Sequence, residues 1–211
     1  MLSILKQQWK ITILVALFLP VLTYLGFWQL DRAEQKQKLL AFYEQQSELA
    51  HTPLAELDAN AKTKYRNVTI VGNYDIDHYW LLDNQPRQGK PGYEVIMPFR
   101  FNDTTGNRRT LLVNRGWIKA EVDRSRLPLI DTSAEQVVIN GYLYPLLINA
   151  VIQHSQSDLD VEWPKRVLQL DNEAAATALD EKIDAMMLRI DEDNVGSYIT
   201  QWPVINTQPA K

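Results

Sequence analysis

The chain has 211 residues, of which 45% are hydrophobic and 23% are charged, and its formal net charge is −4. An acidic balance lacks the excess of Lys and Arg that displaces counterions from phosphates, so the composition excludes a typical nucleic-acid-binding protein. The chain has no cysteine, which excludes disulfides, thiolate catalysis and cysteine-ligated zinc or iron–sulfur sites.

The first predicted element is an apolar segment that is long enough to cross a membrane. Residues 11–30 carry no charge, and Lys10 and Asp31 bound them. A helix of this length rises about 30 Å, the thickness of the hydrocarbon core of a bilayer. We therefore predict a transmembrane helix at 11–30. A signal peptide is the alternative, although no small-residue cleavage pattern follows the segment.

Charges that flank this segment predict its orientation. Residues 1–10 contain Lys6 and Lys10 and no acidic residue. Because positively charged flanks are retained in the cytoplasm, we expect a cytoplasmic N-terminus. The rest of the chain should then lie on the other side, which is the periplasm if the membrane is a bacterial inner membrane.

A second helical segment, which we expect to lie next to the membrane, is predicted at residues 31–50. It is rich in good helix formers and contains no glycine or proline. Pro53 ends it, because residues before a proline avoid helical angles. A further short helical turn is predicted at 54–61.

From residue 64 the sequence changes to a strand pattern, and we predict an extracytoplasmic β-rich domain at 64–205. Tyr93–Phe101 and Arg109–Ile118 flank a cluster of turn residues at 102–107, which predicts an antiparallel hairpin. Pro98 within the first strand indicates an edge strand or a bulge.

The remaining elements complete an α+β fold class. A helix capped by Asp171 is predicted near the end of the chain. Surface excursions or loops are expected at 85–92, 121–133 and 148–163. Since strands dominate, we expect a mostly antiparallel β-sheet or small barrel with a few helices. The other predicted strands are 65–73, 79–82, 137–144, 167–170 and 187–190.

Several short strings then stand in one order along the chain. They are LGFWQLDRAEQK at 25–36, YRNVTIVGNYD at 65–75, LLDNQPRQGKPGYEVIMPF at 81–99, LLVNRGWI at 111–118 and LRIDED at 188–193. In this order and spacing they resemble the Surfeit locus protein 1 family of cytochrome oxidase assembly factors. The resemblance covers most of the chain from residue 25 onward.

The resemblance implies a non-enzymatic biogenesis factor for haem-copper cytochrome c oxidase. Such a factor is expected to help place haem a, bound transiently, in the catalytic subunit, so this subunit and other assembly factors are the implied partners. The family plan has two transmembrane helices. We expect the second span, with the histidine proposed as a haem ligand, to be absent after Lys211. No haem-binding residue is therefore assigned.

Trp28, Gln29 and Arg32 match the family string that follows the first span and are candidate partner contacts. Arg32 suits a carboxylate of the oxidase or a haem propionate, because its planar fork binds carboxylates with two hydrogen bonds. The alternative is an interfacial belt, with Trp28 at headgroup depth and Arg32 extended towards the membrane surface.

The family string at 111–118 supplies four more candidate partner contacts, which are Asn114, Arg115, Gly116 and Trp117. A glycine after a charged residue in a strand indicates a bulge or a close backbone approach. A bulge can direct Arg115 and Trp117 towards a partner, and both residue types are common at interfaces. The alternative is structural, with Trp117 in the core and Arg115 paired with a buried acid.

Three glycines at family positions, Gly72, Gly89 and Gly92, are expected to serve turns. A phosphate-binding loop is a poor interpretation of the last two, because neither Lys-Ser/Thr nor a helix follows them.

The remaining polar clusters predict no catalytic residue and no metal site. Asp75, Asp77 and His78 supply oxygen ligands for a hard cation, but a satisfied loop after a strand is the expected role. His154 with Ser155 and Ser157 lacks the glycines of a nucleophile elbow and is expected in a solvated loop. A membrane scaffold that binds no haem, or a membrane-tethered enzyme, are the alternative functions.

Overall fold

The computed structural model describes residues 8–57, 64–121, 123–124, 126–146 and 162–202. The chain separates into two compact units, one up to Glu44 and one from Gln45 onward. The first unit is helical, and the second contains the sheet.

One continuous helix, α1 (Trp9–Ser47), contains both segments predicted as helical. None of its residues is buried within the protein. Its N-terminal part is long and apolar enough to cross a membrane, and α1 is the one helix of the described residues with this property. No residue between 31 and 47 interrupts helical geometry, which explains why the two predicted segments are one helix.

The second unit consists of eight strands, a short 3₁₀ turn and one helix. The turn is Leu54–Glu56, and the helix α2 is Asn172–Leu179. The strands are β1 (Thr52–Pro53), β2 (Asn67–Tyr74), β3 (Trp80–Leu82), β4 (Gly92–Asn102), β5 (Arg108–Lys119), β6 (Val137–Pro145), β7 (Lys165–Val167) and β8 (Ile183–Ile190).

Five of these strands close into a small barrel. Their order is β2-β6-β8-β5-β4, and β4 pairs again with β2. β1 extends the sheet beyond β2, while β3 and β7 extend it beyond β4. The pairs β1–β2, β3–β7 and β5–β8 are parallel, and the other pairs are antiparallel. The predicted α+β fold with a mostly antiparallel small barrel is confirmed.

Both faces of the β4–β5 hairpin are buried. Leu111 and Val113 belong to the main hydrophobic cluster, and the alternating Leu112 is equally inaccessible to solvent. A strand covered on both faces needs apolar residues at successive positions, which explains the nearly continuous apolar runs of this hairpin.

Of the two alternatives for Pro98, the edge strand is wrong for β4 as a whole, which has neighbours on both sides, while a bulge does occur in β4, between Glu94 and Ile96. Pro98 lies in the gap between the β4 residues that pair with β3 and those that pair with β2. The Pro98 carbonyl accepts a hydrogen bond from the Asp75 N–H at 2.9 Å. Proline has no N–H to return this bond, so the β2–β4 ladder ends at Tyr74.

Several predicted boundaries differ from the structure. β7 lies two residues earlier than predicted, and β8 starts at Ile183 instead of Met187. The segment 121–133 is not purely a surface excursion, since Leu127 and Ile130 pack against the core. The cap of α2 is confirmed, because the Asp171 carboxylate accepts the Ala174 N–H at 2.7 Å. The short helical turn predicted at 54–61 is present as the 3₁₀ turn Leu54–Glu56, while residues 58–61 and most of the loop predicted at 148–163 lie outside the described residues.

Candidate functional site

A β-bulge lies in the family string at 111–118, as Gly116 predicted. Arg115 and Gly116 of β5 together oppose one residue of β4, Val95. Gly116 has a φ of 111°, and a Cβ atom at this position would stand 2.9 Å from the Ile199 carbonyl oxygen. The Trp117 N–H donates to this same oxygen at 2.9 Å. The bulge and the close backbone approach are therefore both present, and only glycine fits them.

Asn114 is fully buried and fixes the bulge from within. Its Oδ1 atom accepts the Gly116 N–H at 3.1 Å, and its Nδ2 atom donates to Glu94 Oε2 at 2.6 Å. Glu94 also lies 3.4 Å from the Arg87 guanidinium. The side chain of Asn114 thus positions neighbouring groups, and its role in partner contact stays a prediction.

Arg115 is buried, with 1% of its surface exposed, and it holds two loops against the barrel. Its Nε atom donates to the Gly196 carbonyl at 2.8 Å, and Nη1 donates to the Thr132 hydroxyl. The guanidinium carbon lies 4.9 Å from the ring centroid of Tyr74 and 5.2 Å from that of Tyr198.

Among the described residues no carboxylate lies within ion-pair distance of Arg115. The expectation that Arg115 pairs with a buried acid is therefore wrong. Carbonyl and hydroxyl oxygens and two aromatic rings take the place of the acid. Burial raises the pKa of the nearby Tyr74 to about 12, although the Arg115 charge opposes this effect.

Trp117 is almost completely buried beside the turn of residues 85–90. Its Nε1 atom donates to the Gln85 carbonyl at 2.6 Å. Gly92 lies directly against the indole ring, where a Cβ atom would be 2.1 Å from Cε2. The indole is therefore packed in the interior, as the structural alternative for Trp117 expected. The role of Trp117 in partner contact stays a prediction.

The three family glycines have different structural roles. Gly89 lies in a turn with a φ of 74°, as expected. The turn assignment is wrong for Gly72 and Gly92, which lie in β2 and at the start of β4. Both are instead sites of close packing, and a Cβ atom at Gly72 would stand 2.2 Å from the Arg100 carbonyl oxygen.

An open cleft of about 740 Å³ lies next to the bulge. One wall is the turn 85–90, and the other is the segment 198–201. Arg87 joins them, since Nη1 donates to the carbonyls of Ile199 at 3.1 Å and Gln201 at 2.9 Å. The cleft is lined by Gln85, Pro86, Arg87, Gln88, Lys90, Glu94, Trp117, Lys119, Glu192, Tyr198, Ile199, Thr200 and Gln201.

Two exposed cations, Lys90 and Lys119, face this cleft. Neither has a carboxylate within ion-pair distance in the described part of the chain. An exposed ammonium group without a partner remains available to an acidic ligand. The cleft therefore has a positive edge at these two lysines, with the exposed Glu192 also on its lining.

The candidates Trp28, Gln29 and Arg32 lie on α1. The Arg32 guanidinium is 5.6 Å from the centroid of the Trp28 ring, because residues four apart lie on one face of a helix. Their contact with a partner stays a prediction.

Asp75 and His78 form a closed polar cluster that supports the interpretation as a satisfied loop. Asp75 Oδ2 lies 2.9 Å from His78 Nδ1 and 2.7 Å from the Arg100 guanidinium, while Oδ1 accepts the Asp77 N–H at 3.0 Å. Burial raises the pKa of the Asp75 carboxyl, but the donors from His78, Asp77 and Arg100 outweigh burial and lower it overall.

Sequence reasoning missed Arg87, Glu94 and Arg189 as parts of this region. All three lie in the strings that carry the family resemblance, at 81–99 and 188–193. The available signal was a charged residue at a buried position of an apolar strand, which both Glu94 and Arg189 show.

Comparison with known proteins gives one family. A family model described as the SURF1 family matches residues 16–209. The cytochrome oxidase assembly protein SHY1 of Saccharomyces cerevisiae is 30% identical over 116 residues, which are 53% of this chain and 29% of that protein.

Two further relatives carry the name SURF1-like protein. The one from Rickettsia bellii is 33% identical over 110 residues, covering 51% of this chain and 42% of the relative. The one from Monosiga brevicollis is 34% identical over 119 residues, covering 48% and 42%. The chain thus spans less than half the length of these curated relatives.

Proposed function

Because this chain belongs to the SURF1 family, we propose that it is an assembly factor for haem-copper cytochrome c oxidase. The observation that carries the proposal is the family match over residues 16–209, together with the similarity to a relative named as a cytochrome oxidase assembly protein. Its action is binding and not catalysis. The polar side chains at the bulge support this, since their hydrogen bonds hold the fold together. Asn114 donates to Glu94, and Arg115 donates to the Gly196 carbonyl.

The apolar part of α1 is proposed to anchor the chain in the bacterial inner membrane. Its length and composition support a membrane span. Lys6 and Lys10 before the span favour a cytoplasmic N-terminus and a periplasmic main domain. A reporter fused after Gln201 tests this, because periplasmic activity supports the orientation and cytoplasmic activity contradicts it.

The cleft beside the bulge is the proposed contact surface for an oxidase subunit. The turn 85–90 and the segment 198–201 are tied together by Arg87, so the cleft is formed before a partner arrives. Lys90 and Lys119, which form no ion pair within the described ranges of the chain, supply positive charge at its edge. Trp117, beneath the bulge, keeps the turn in place through the Gln85 carbonyl.

Haem a is the cofactor that the family implies, and histidine is a common ligand of haem iron. His51 Nε2 lies 3.0 Å from Asp191, and His78 Nδ1 lies 2.9 Å from Asp75. Neither histidine lines the cleft. We therefore propose that the described part of the chain assists haem a insertion into the catalytic subunit through protein contacts.

Gene deletion and complementation test the proposed function. Membranes of the deletion strain should contain less haem a and less oxidase activity, and the intact gene should restore both. Unchanged haem a and oxidase activity after deletion would contradict an assembly role.

A scaffold that never touches haem is the second candidate, and the position of both described histidines outside the cleft lining favours it. Titration of the purified full chain with haem a separates the two. A saturable Soret shift would support direct haem handling, while no shift with a restored oxidase in cells would support the scaffold.

A further inference from the structure

Two buried arginines of the barrel domain differ in how their donors are satisfied. Arg115 donates to carbonyl and hydroxyl oxygens, as described above. Arg189 of β8 is 9% exposed, yet it donates to no acceptor among the described residues and has no carboxylate within ion-pair distance there. Its Nε atom is fully enclosed without a partner.

Aromatic rings hold the Arg189 guanidinium in place. Its central carbon lies 3.7 Å from the ring centroid of Tyr144 and 4.8 Å from that of Trp202. Trp202 is itself fixed, because its Nε1 atom donates to the Ile190 carbonyl at 3.2 Å. The rings attract the cation but cannot accept the N–H groups that lie in the guanidinium plane.

This arrangement leaves a pre-oriented donor fork. Burying a guanidinium without hydrogen-bond partners is costly, and the attraction of two rings offsets only part of the cost. The terminal nitrogens of Arg189 are not among the fully enclosed atoms, and they account for the exposed side of a residue that is 9% exposed. A carboxylate satisfies such a fork with two parallel hydrogen bonds.

Neighbouring charges favour a monovalent carboxylate. Trp202 also lies 5.8 Å from the guanidinium of Arg87, which lines the cleft. Three of the five N–H groups of Arg87 already donate to two carbonyls and to Glu94. One unpaired guanidinium matches one carboxylate, whereas a phosphate dianion would leave excess negative charge.

We propose that Arg189, stacked on Tyr144 and Trp202, is a carboxylate-binding residue that receives one acidic group of the bound partner. This proposal rests on the proposed function for the identity of the partner. The carboxylate is an acidic side chain or a porphyrin propionate, and the experiment below separates these sources.

The test is a titration of the full chain in detergent micelles with sodium acetate at constant ionic strength. The Nε–H resonance of Arg189, identified by its loss in R189K, should shift saturably. R189K retains the charge but not the fork, so acetate affinity should fall about tenfold. If R189K does not fold, W202F identifies the resonance through its changed ring-current shift.

Arg109 provides a matched control. It is also stacked on an aromatic ring, at 5.2 Å from Phe101, but it is already paired with Asp184 at 2.5 Å. Its resonance should not respond to acetate, and R109K should bind acetate like the unmodified chain. No saturable shift at Arg189, or an equal shift at Arg109, would overturn the proposal.

Two further probes identify the source of the carboxylate. Saturable binding of N-acetylglutamate amide at Arg189 supports an acidic side chain, and binding of mesoporphyrin but not of its dimethyl ester supports a propionate. Complementation with R189K and R109K shows whether the site serves assembly. If the unmodified gene fails to restore oxidase, the proposed function fails, while the acetate titration still decides the role of Arg189.

Discussion

Gly92 packs against the indole ring of Trp117 so closely that a Cβ atom at Gly92 would lie within 2.3 Å of three ring atoms. The contact joins the start of β4 to the bulge in β5. A glycine in the GKPG string is therefore required by the side chain that it faces and not by its own backbone angles.

Substitution G92A should destabilise the barrel domain by about 1–3 kcal/mol, because the added methyl group overpacks this contact. Urea unfolding followed by far-UV circular dichroism measures the effect. The same substitution in a W117L background should cost much less, since the clashing ring is gone. An equal cost in both backgrounds would show that backbone strain, and not the indole, excludes alanine.

Substitution R115K should lower the free energy of unfolding by about 2–3 kcal/mol, because charge-assisted bonds to Gly196 and Thr132 are lost. Hydrogen exchange should accelerate at the Tyr198 N–H, which donates to the Arg115 carbonyl. R108K, at an exposed position of the same strand, is the control. A stable R115K chain that fails to support oxidase assembly would instead assign Arg115 to partner contact.

Substitution D75N should weaken the fold at neutral pH and remove part of its acid sensitivity. The pKa of Asp75 is lower in the folded chain than in the unfolded chain, where it is about 3.9. As the pH falls, the unfolded chain therefore takes up this proton before the folded chain does. The contribution of the Asp75 carboxylate to the free energy of unfolding is thus complete above the unfolded pKa. It is lost as the pH falls through the folded pKa. Urea unfolding across this range measures it.

The neighbouring exposed D77N is the control for this prediction, because it leaves the Asp77 N–H donor to Asp75 in place. A D75N chain with the same pH dependence as D77N would contradict the role given to the Asp75 carboxylate.

Substitution Y74F should leave stability unchanged or raise it by up to about 1 kcal/mol, because the buried Tyr74 hydroxyl has no hydrogen-bond partner in the part of the chain that the structure describes. Y79F is the matched comparison. The Tyr79 hydroxyl donates to the Pro128 carbonyl at 3.1 Å, so its removal should cost about 1 kcal/mol. Thermal unfolding of both variants checks the difference, and a larger loss in Y74F would refute it.

Charge reversal at the cleft, K90E with K119E, should reduce haem a in membranes several-fold without changing the urea midpoint. Both lysines are exposed and have no ion-pair partner among the described residues, so their reversal affects association more than folding. K182E, at an exposed position away from the cleft lining, is the control. Normal haem a content in the double variant would contradict the proposal that an oxidase subunit binds at the cleft.

Local patterns were sufficient to predict much of the fold. The uncharged run predicted the apolar part of α1, and the turn cluster at 102–107 predicted the β4–β5 hairpin. Asp171 predicted the start of α2. Each of these depends on residues close together in the chain, where spacing and side-chain chemistry decide the geometry.

Long-range pairing was beyond local patterns. The parallel pairing of β5 with β8 joins residues about 75 positions apart, such as Val113 and Leu188, and nothing in either strand specifies the partner. The same limit explains Gly72, whose requirement comes from the Arg100 backbone across the β2–β4 ladder. The sequence indicated special glycines but not the chain segments that approach them.

The sequence predicted the consecutive residues of the candidate site but not the side-chain contacts that they make with distant loops. Gly116 indicated the bulge correctly, whereas the satisfaction of Arg115 by carbonyls and rings required the loops at 131–132 and 196–198 to be placed. Arg189 was hidden by its position in an ordinary strand. Only its stacked, unsatisfied state distinguishes it from a structural arginine.

Closure of β2 onto β4 has a consequence for solubility. Among the described residues it leaves the sheet with two edge strands, β1 and β7, of two and three residues. β1 ends in Pro53, which cannot donate to an added strand, and β7 begins with Lys165 and Arg166, whose charges oppose stacking of a second copy. The domain therefore offers foreign β-strands little template for growth, which protects it from amyloid-like aggregation at high local concentration.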